Sequence, residues 1–92
     1  MAAQRIFFVA HGRVQGVNFR YFTQKKATEY RITGWCRNTD EATVEGEAQG
    51  EEDVIKRFLK DVNNGPPHAR VVKVETQPRD LQEGETAFEV RR

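Results

Sequence analysis

This chain of 92 residues contains no serine and a single cysteine, Cys36. Without serine, every mechanism that uses a serine nucleophile is excluded, and one cysteine cannot form an internal disulfide. The longest apolar run, residues 6–10, is far shorter than the roughly 20 residues of a membrane span and lacks the flanks of a secretory signal. We therefore expect a cytoplasmic protein with no membrane partner, in which Cys36 is a small buried hydrophobe.

The sequence also lacks the usual groupings of metal ligands and nucleotide-binding glycines. His11 and His68 are isolated, and no histidine, cysteine or acidic cluster has metal-site spacing. Gly16 is not followed by the Lys and Ser/Thr of a P-loop, and Val14 stands where a dinucleotide fingerprint needs glycine. We expect no metal, no cofactor and no covalent nucleophile.

Positive charge is concentrated in the first half of the chain. Residues 1–40 carry seven Lys and Arg against two acidic residues, residues 41–92 carry eight against twelve, and the net charge is +1. This asymmetry indicates a local anion-binding site, because a protein that binds nucleic acid is expected to be more basic overall. We expect one domain, residues 1–92, because either half would be too small to bury a core.

The hydrophobic pattern predicts alternating strands and helices. The apolar run at residues 6–10 is typical of a strand buried on both faces, and apolar spacing near 3.6 predicts two helices. In chain order the predicted elements are strand 6–10, helix 19–30, strands 32–38 and 42–49, a helix from about 51 to 64, and strands 71–74 and 86–90. This order predicts an α+β, ferredoxin-like split β-α-β sandwich, with an antiparallel sheet and both helices on one face.

The chemistry is concentrated in the strand–loop–helix segment at residues 12–20. Its loop contains Gly12 and Gly16 and leads into a helix N-terminus, where backbone N–H groups lack helical partners and the dipole favours an anion. Arg20, in the first turn, can offer a forked guanidinium to the same anion. Phosphate is the natural occupant, although the same pattern also fits a simple glycine turn beside a solvated arginine.

Two blocks of the sequence resemble the signatures of the acylphosphatase family. Residues 12–20 read Gly-Arg-Val-Gln-Gly-Val-Asn-Phe-Arg, and residues 34–38 read Gly-Trp-Cys-Arg-Asn. The resemblance covers nearly the whole chain and implies metal-independent hydrolysis of the carboxyl–phosphate bond of small acyl phosphates. The family usually has glycine where Ala42 stands. If that position has a positive φ, alanine adds strain of about 1 kcal/mol.

The resemblance also implies roles for individual residues. Backbone N–H groups hold the phosphoryl oxygens together with the guanidinium of Arg20, and the side-chain amide of Asn38 orients the attacking water. The phosphate-binding loop consists of Gln15, Gly16, Val17, Asn18 and Phe19. Inorganic phosphate is expected as product and inhibitor, and the protein is expected to be a monomer. The side chains of Gln15 and Asn18 fit a direct role or a mere turn-forming role equally well.

Two other classes of function remain open at this point. A non-catalytic domain of the same family that binds phosphate or carbamoyl phosphate would share the loop, although such domains tend to sit inside larger proteins. An RNA-binding sheet module would need aromatic residues exposed on its central strands. The spacing of Phe19, Phe22 and Tyr30 instead predicts that these rings point into the core. We therefore expect no nucleic-acid partner.

Overall fold

The computed structural model describes residues 2–92, which form five strands and two helices. The elements in chain order are β1 (Ala3–Arg13), α1 (Phe19–Glu29), β2 (Thr33–Asn38), β3 (Val44–Glu51), α2 (Glu52–Asn64), β4 (Arg70–Arg79) and β5 (Phe88–Arg91). The predicted order of strands and helices is confirmed. β1 and β4 are longer than predicted, because most of their other residues are polar and apolar patterning marks only part of each strand.

The five strands form one sheet in the order β4-β1-β3-β2-β5. Three pairings are antiparallel, but β5 pairs in parallel with β2, so the sheet is mixed and the prediction of a wholly antiparallel sheet is wrong at this edge. Residues 80–87 carry the chain from the end of β4 across the same end of the sheet to the start of β5. β5 must therefore run in the opposite direction to β4. Because β1 and β2 also run opposite to β4, β5 is parallel to its neighbour β2. The ferredoxin-like class itself is confirmed.

The core lies between one face of the sheet and the two helices. Along β1, Phe8 and Ala10 are fully buried, whereas Phe7 and Val9 on the opposite face are only partly buried. The prediction that this strand is buried on both faces is wrong, because both helices cover the same face. Phe8 meets Phe58 of α2 edge-on, with ring centroids 5.8 Å apart, a favourable aromatic geometry that ties the sheet to the helix.

Helix α1 buries a narrower stripe than the aromatic spacing predicts. Phe19 is buried, but Phe22 and Tyr30 are only half-buried, and Thr23 takes an inward position instead. The hydroxyl of Thr23 donates to the backbone oxygen of Phe19 at 2.9 Å, which satisfies this buried polar group. The hydroxyl of Tyr30 donates to Asp61 of α2 at 2.6 Å. Tyr30 therefore joins the two helices at the rim of the core.

Candidate active site

The chain leaves β1 through a β-bulge that directs it into the loop. The register between β1 and β4 shifts between His11 and Gly12. Gly12 has a φ of 123°, and a Cβ there would lie 2.1 Å from the backbone oxygen of Arg70, so only glycine fits. Val14, two residues later, is buried in the core. The buried valine anchors the beginning of the loop.

The backbone of residues 15–18 alternates in hand. Gly16 and Asn18 have positive φ values of 73° and 65°, whereas Gln15 and Val17 do not. Alternating signs of φ can turn successive N–H groups toward one side, which is the backbone geometry of sites that hold anions. Within residues 2–92, no backbone N–H of residues 15–18 donates a hydrogen bond. Phe19 begins α1, so its N–H also lacks an intrahelical partner.

Arg20 lies in the first turn of α1 and is half-buried. Its Nη1 donates to the backbone oxygen of Arg91, the last residue of β5, at 3.2 Å. Arg91 is in parallel register with Arg37 of β2. The contact therefore places the side chain of Arg20 against β5. At this point β5 pairs with Arg37, the residue directly before Asn38. Sequence reasoning missed Arg91, because a contact through a backbone oxygen leaves no signature in residue type.

Asn38 is the last residue of β2 and pairs with Val44 of β3. Its Oδ1 is buried and accepts no hydrogen bond from any donor of the described residues 2–92. Leaving such an oxygen unsatisfied costs about 1–3 kcal/mol, so an unpaired acceptor calls for a functional explanation. This oxygen can accept from an N–H or an O–H donor. A water molecule can supply one.

Gln15 connects the loop to the turn formed by residues 39–43. Its Nε2 donates to the backbone oxygen of Thr39 at 2.8 Å and to that of Thr43 at 2.9 Å. Within the turn, the N–H of Thr39 donates to the Thr43 oxygen at 2.9 Å, and the two threonine hydroxyls are 2.6 Å apart. Sequence reasoning missed both threonines. The pair of hydroxyl residues at the two ends of a predicted turn is the signal that could have identified them.

Ala42 occupies a left-handed position in this turn, with a φ of 64°. The condition under which alanine was expected to add strain is therefore met, and the strain is about 1 kcal/mol. The bonds between Thr39 and Thr43 are nevertheless formed. The alanine strains the hairpin without opening it.

Cys36 is fully buried on β2, as predicted. Burial raises the pKa of its thiol to about 12, although the positive charge of Arg20 acts in the opposite direction. Its Sγ lies 3.7 Å from the backbone oxygen of Arg20, to which it donates. Because the thiolate is the reactive form, a thiol with this pKa is inert at neutral pH.

No group of three or more histidine, cysteine or acidic side chains in residues 2–92 is arranged to hold a metal ion. Over the same residues, neither helix has the length and apolar character needed to cross a membrane.

Comparison with known proteins identifies the family. The sequence model of the acylphosphatase family matches residues 6–90. The chain is 40% identical to an acylphosphatase of Geobacillus kaustophilus over 87 residues, covering 95% of this chain and 93% of that protein. It is 48% identical to an acylphosphatase of Oceanobacillus iheyensis over 81 residues, covering 87% and 89% of the two chains. The crystal structure of acylphosphatase from Bacillus subtilis matches with a TM-score of 0.92 at 33% identity, covering 99% of this chain and 100% of that one. Because the family model spans residues 6–90 and these relatives cover most of the chain, the chain belongs to the acylphosphatase family and is an enzyme that hydrolyses acyl phosphates.

Proposed function

We propose that the loop of residues 15–19, together with Arg20 and Asn38, forms the active site of this acylphosphatase. The observation that supports the proposal is the presence of unpaired donors and an unpaired acceptor in contacting segments. The N–H groups of residues 15–18 have no partner in the described residues 2–92, and neither has Oδ1 of Asn38. Free N–H donors suit a phosphoryl anion, whereas a free oxygen suits the O–H of a water molecule.

The phosphoryl group would lie in the concavity of the loop. The backbone N–H groups of Gln15, Gly16, Val17, Asn18 and Phe19 would donate to its oxygens, at the positive end of the α1 dipole. Arg20 would add a full positive charge and a forked pair of donors. Charge on the equatorial oxygens of the transition state would thus be stabilised by groups that are already in place.

Asn38 would aim the nucleophile. A water molecule that donates one O–H to Oδ1 of Asn38 turns a lone pair toward phosphorus, opposite the acyl oxygen. The new O–P bond forms as the bond from phosphorus to the carboxyl oxygen breaks, and a carboxylate leaves. The carboxylate is a good leaving group that needs no general acid. The proton of the water passes to a phosphoryl oxygen, since residues 15–20 and Asn38 include no carboxylate or imidazole.

Several finer expectations belong to the same proposal. The substrates are small acyl phosphates, inorganic phosphate is both product and inhibitor, and the reaction needs no metal ion or cofactor. The protein acts as a monomer of one domain, residues 1–92, in the cytoplasm, without a nucleic-acid partner. Metal independence predicts that the rate with benzoyl phosphate is unchanged after exhaustive treatment with EDTA. A loss that magnesium or zinc restores would contradict the mechanism.

The role of Asn38 can be tested by separating catalysis from phosphate binding. Asn38→Ala removes the oxygen that aims the water, so kcat for benzoyl phosphate should fall on the order of 10². Inhibition by inorganic phosphate should be nearly unchanged, because the loop of residues 15–19 is intact. Asn38→Asp should fare no better than alanine, since a carboxylate repels the phosphoryl group.

The matched control is Asn63→Ala, which removes an exposed asparagine from the last turn of α2. It should leave both kcat and phosphate inhibition unchanged. Circular dichroism and the urea midpoint show whether each variant is folded. If kcat and the phosphate inhibition constant worsen in proportion in folded Asn38→Ala, then Asn38 is a phosphate ligand and the water-aiming role is wrong.

A further inference from the structure

We infer that the side chain of Gln15 is a positioning residue that sets the place of Asn38 relative to the phosphate-binding loop. The inference rests on the proposed role of Asn38. It starts from the two hydrogen bonds of Gln15, which reach across 24 and 28 positions of sequence to Thr39 and Thr43. No other side-chain bond of the described residues joins residues 14–18 to the hairpin. Gln15 therefore makes the direct polar connection between the two halves of the site.

Asn38 needs such external support because it stands at the end of a ladder. It is the last residue of β2, and β3 pairs with it on one side. On the other side, the described register of β5 ends with Arg91 opposite Arg37, one residue earlier. The next residue begins the turn that contains the strained Ala42. The placement of Asn38 consequently depends on what holds the turn.

Gln15 holds both ends of that turn at once. A primary amide carries two N–H groups, and here Nε2 contacts two backbone oxygens, those of Thr39 and Thr43. The same two residues are already joined by the bond from the Thr39 N–H to the Thr43 oxygen. The amide of Gln15 thus binds the turn as a closed unit. The oxygen of Thr39 belongs to the residue directly after Asn38.

The backbone of Gln15 belongs to the phosphate-binding loop. Its N–H is a proposed phosphate donor, and its neighbour Val14 is buried in the core. One residue therefore supplies a backbone donor to the phosphoryl group and two side-chain hydrogen bonds to the turn that follows Asn38. In-line attack requires reacting atoms about 3–3.5 Å apart, and a misplacement of about 1 Å can cost on the order of 10² in rate. Loss of these two side-chain hydrogen bonds should therefore lower kcat far more than it weakens phosphate binding.

The direct test is Gln15→Met. Methionine has a similar length and leaves the backbone N–H in place, but it donates no hydrogen bond to the turn. We expect kcat for benzoyl phosphate to fall roughly 10- to 100-fold. The inhibition constant of inorganic phosphate should stay within about twofold of wild type, because each loop N–H is retained. A proportional loss of phosphate inhibition would overturn the inference, since Gln15 would then be organising the phosphate loop itself.

The matched control is Gln24→Met. Gln24 is also part-buried, and its Nε2 donates to the backbone oxygen of Phe88 at 3.1 Å, which joins α1 to β5 away from the hairpin. This variant loses the same chemical group from the same kind of long-range contact. Its urea midpoint should fall by about as much as that of Gln15→Met. Its kcat should stay within about twofold of wild type, because the hydrogen bonds from Gln15 to the turn are kept. If Gln24→Met lowers kcat as much as Gln15→Met, loss of stability explains both and the inference is wrong.

A double-mutant cycle shows whether Gln15 acts through Asn38. In the Asn38→Ala background there is no side-chain amide left to position, so Gln15→Met should lower kcat less than about twofold. If the fold-losses of kcat from Gln15→Met and Asn38→Ala multiply in the double variant, the two residues act independently. That result would overturn the inference while leaving the role of Asn38 intact. If Asn38→Ala alone keeps wild-type kcat, the proposed function of Asn38 fails first, and the inference falls with it.

Gln15→Asn covers the case in which Gln15→Met does not fold. Asparagine keeps the amide but is one methylene too short to reach both backbone oxygens. It should reproduce the loss of kcat with unchanged phosphate inhibition. Wild-type kcat in a folded Gln15→Asn protein would show that the hydrogen bonds from Gln15 to Thr39 and Thr43 do not position Asn38.

Discussion

The two ends of β1 treat polar groups in opposite ways. Near its start, the guanidinium of Arg5 donates to Glu47 at 2.6 Å, to Glu85 at 2.8 Å and to Gln49 at 3.1 Å, and its side chain is only 1% exposed. Toward and beyond its other end, Oδ1 of Asn38 and the N–H groups of residues 15–18 have no partner in the described residues 2–92. Saturated polar groups stabilise a fold, whereas a buried unsatisfied group such as Oδ1 of Asn38 costs stability and calls for an explanation.

The saturated end fastens a loop onto the outer face of the sheet. Glu85 belongs to residues 80–87, which cross from β4 to β5. Burial alone would raise the pKa of Glu85, but hydrogen bonds from Arg5 and Thr33 and the charge of Arg5 lower it below its ordinary value. The pKa of Arg5 is raised in turn, chiefly by its hydrogen bond to Glu85. This cluster holds the crossing loop that delivers β5 to the far edge of the sheet.

The largest expected effect comes from Arg20, at the unsaturated end. Arg20→Gln removes the charge and the fork, so kcat should fall on the order of 10³ or more and phosphate should inhibit more weakly. Arg20→Lys should also be badly impaired, because a point charge cannot form the forked contact. The benzoyl phosphate assay and phosphate inhibition measure both effects. Near-normal activity in the lysine variant would show that a single point charge suffices.

The reverse pattern is expected at the saturated end. Arg5→Met leaves two carboxylates without their shared partner, and unfolding free energy should drop by about 3 kcal/mol, as when one member of a buried ion pair is removed. The kcat of folded protein should stay within about twofold, because the loop of residues 15–19 lies at the opposite end of β1. Urea unfolding and the kcat of the folded fraction give the two values. A loss of kcat without a loss of stability would show that Arg5 serves catalysis rather than the stability of the fold.

A smaller effect is expected from acid. Because the pKa of Glu85 is lower in the folded protein than in the unfolded chain, its ion pair stabilises above the unfolded value of about 4.3 and that stabilisation is lost as pH falls through the folded pKa. The unfolding free energy of the wild type should thus decline more steeply below about pH 4.3 than that of Arg5→Met. Urea midpoints measured from pH 6 down to about pH 3 compare the two slopes. Parallel slopes would mean that Arg5 does not set the ionisation of Glu85.

The smallest effect concerns the strained turn. Ala42→Gly removes a left-handed alanine penalty of about 1 kcal/mol but adds about 0.5 kcal/mol of backbone entropy to the unfolded chain. The net gain in stability should be about 0.5 kcal/mol, with kcat within about twofold. Thermal unfolding and the benzoyl phosphate assay test this. A clear fall in kcat would indicate that the strain at Ala42 helps to place Asn38.

The order of elements and the glycine-containing loop before α1 could be predicted from sequence because their determinants are local. The periods of apolar residues mark strands and helices within a few residues, and the glycines at positions 12 and 16 mark a bulge and a left-handed turn. The two signature blocks are contiguous for the same reason. Arg20 and Asn38 were therefore found as candidates, whereas the side-chain contacts of Gln15 were not.

What the sequence by itself determined is thus the set of local conformations and the family to which the chain belongs. Tertiary structure decided the parallel pairing of β5, the exposure of one face of β1 and the contacts that join distant segments. The partners of Arg5 lie up to 80 positions away and those of Gln15 up to 28. Such contacts depend on sheet register and on which end of the sheet a loop crosses, and neither is encoded in a local window of residues.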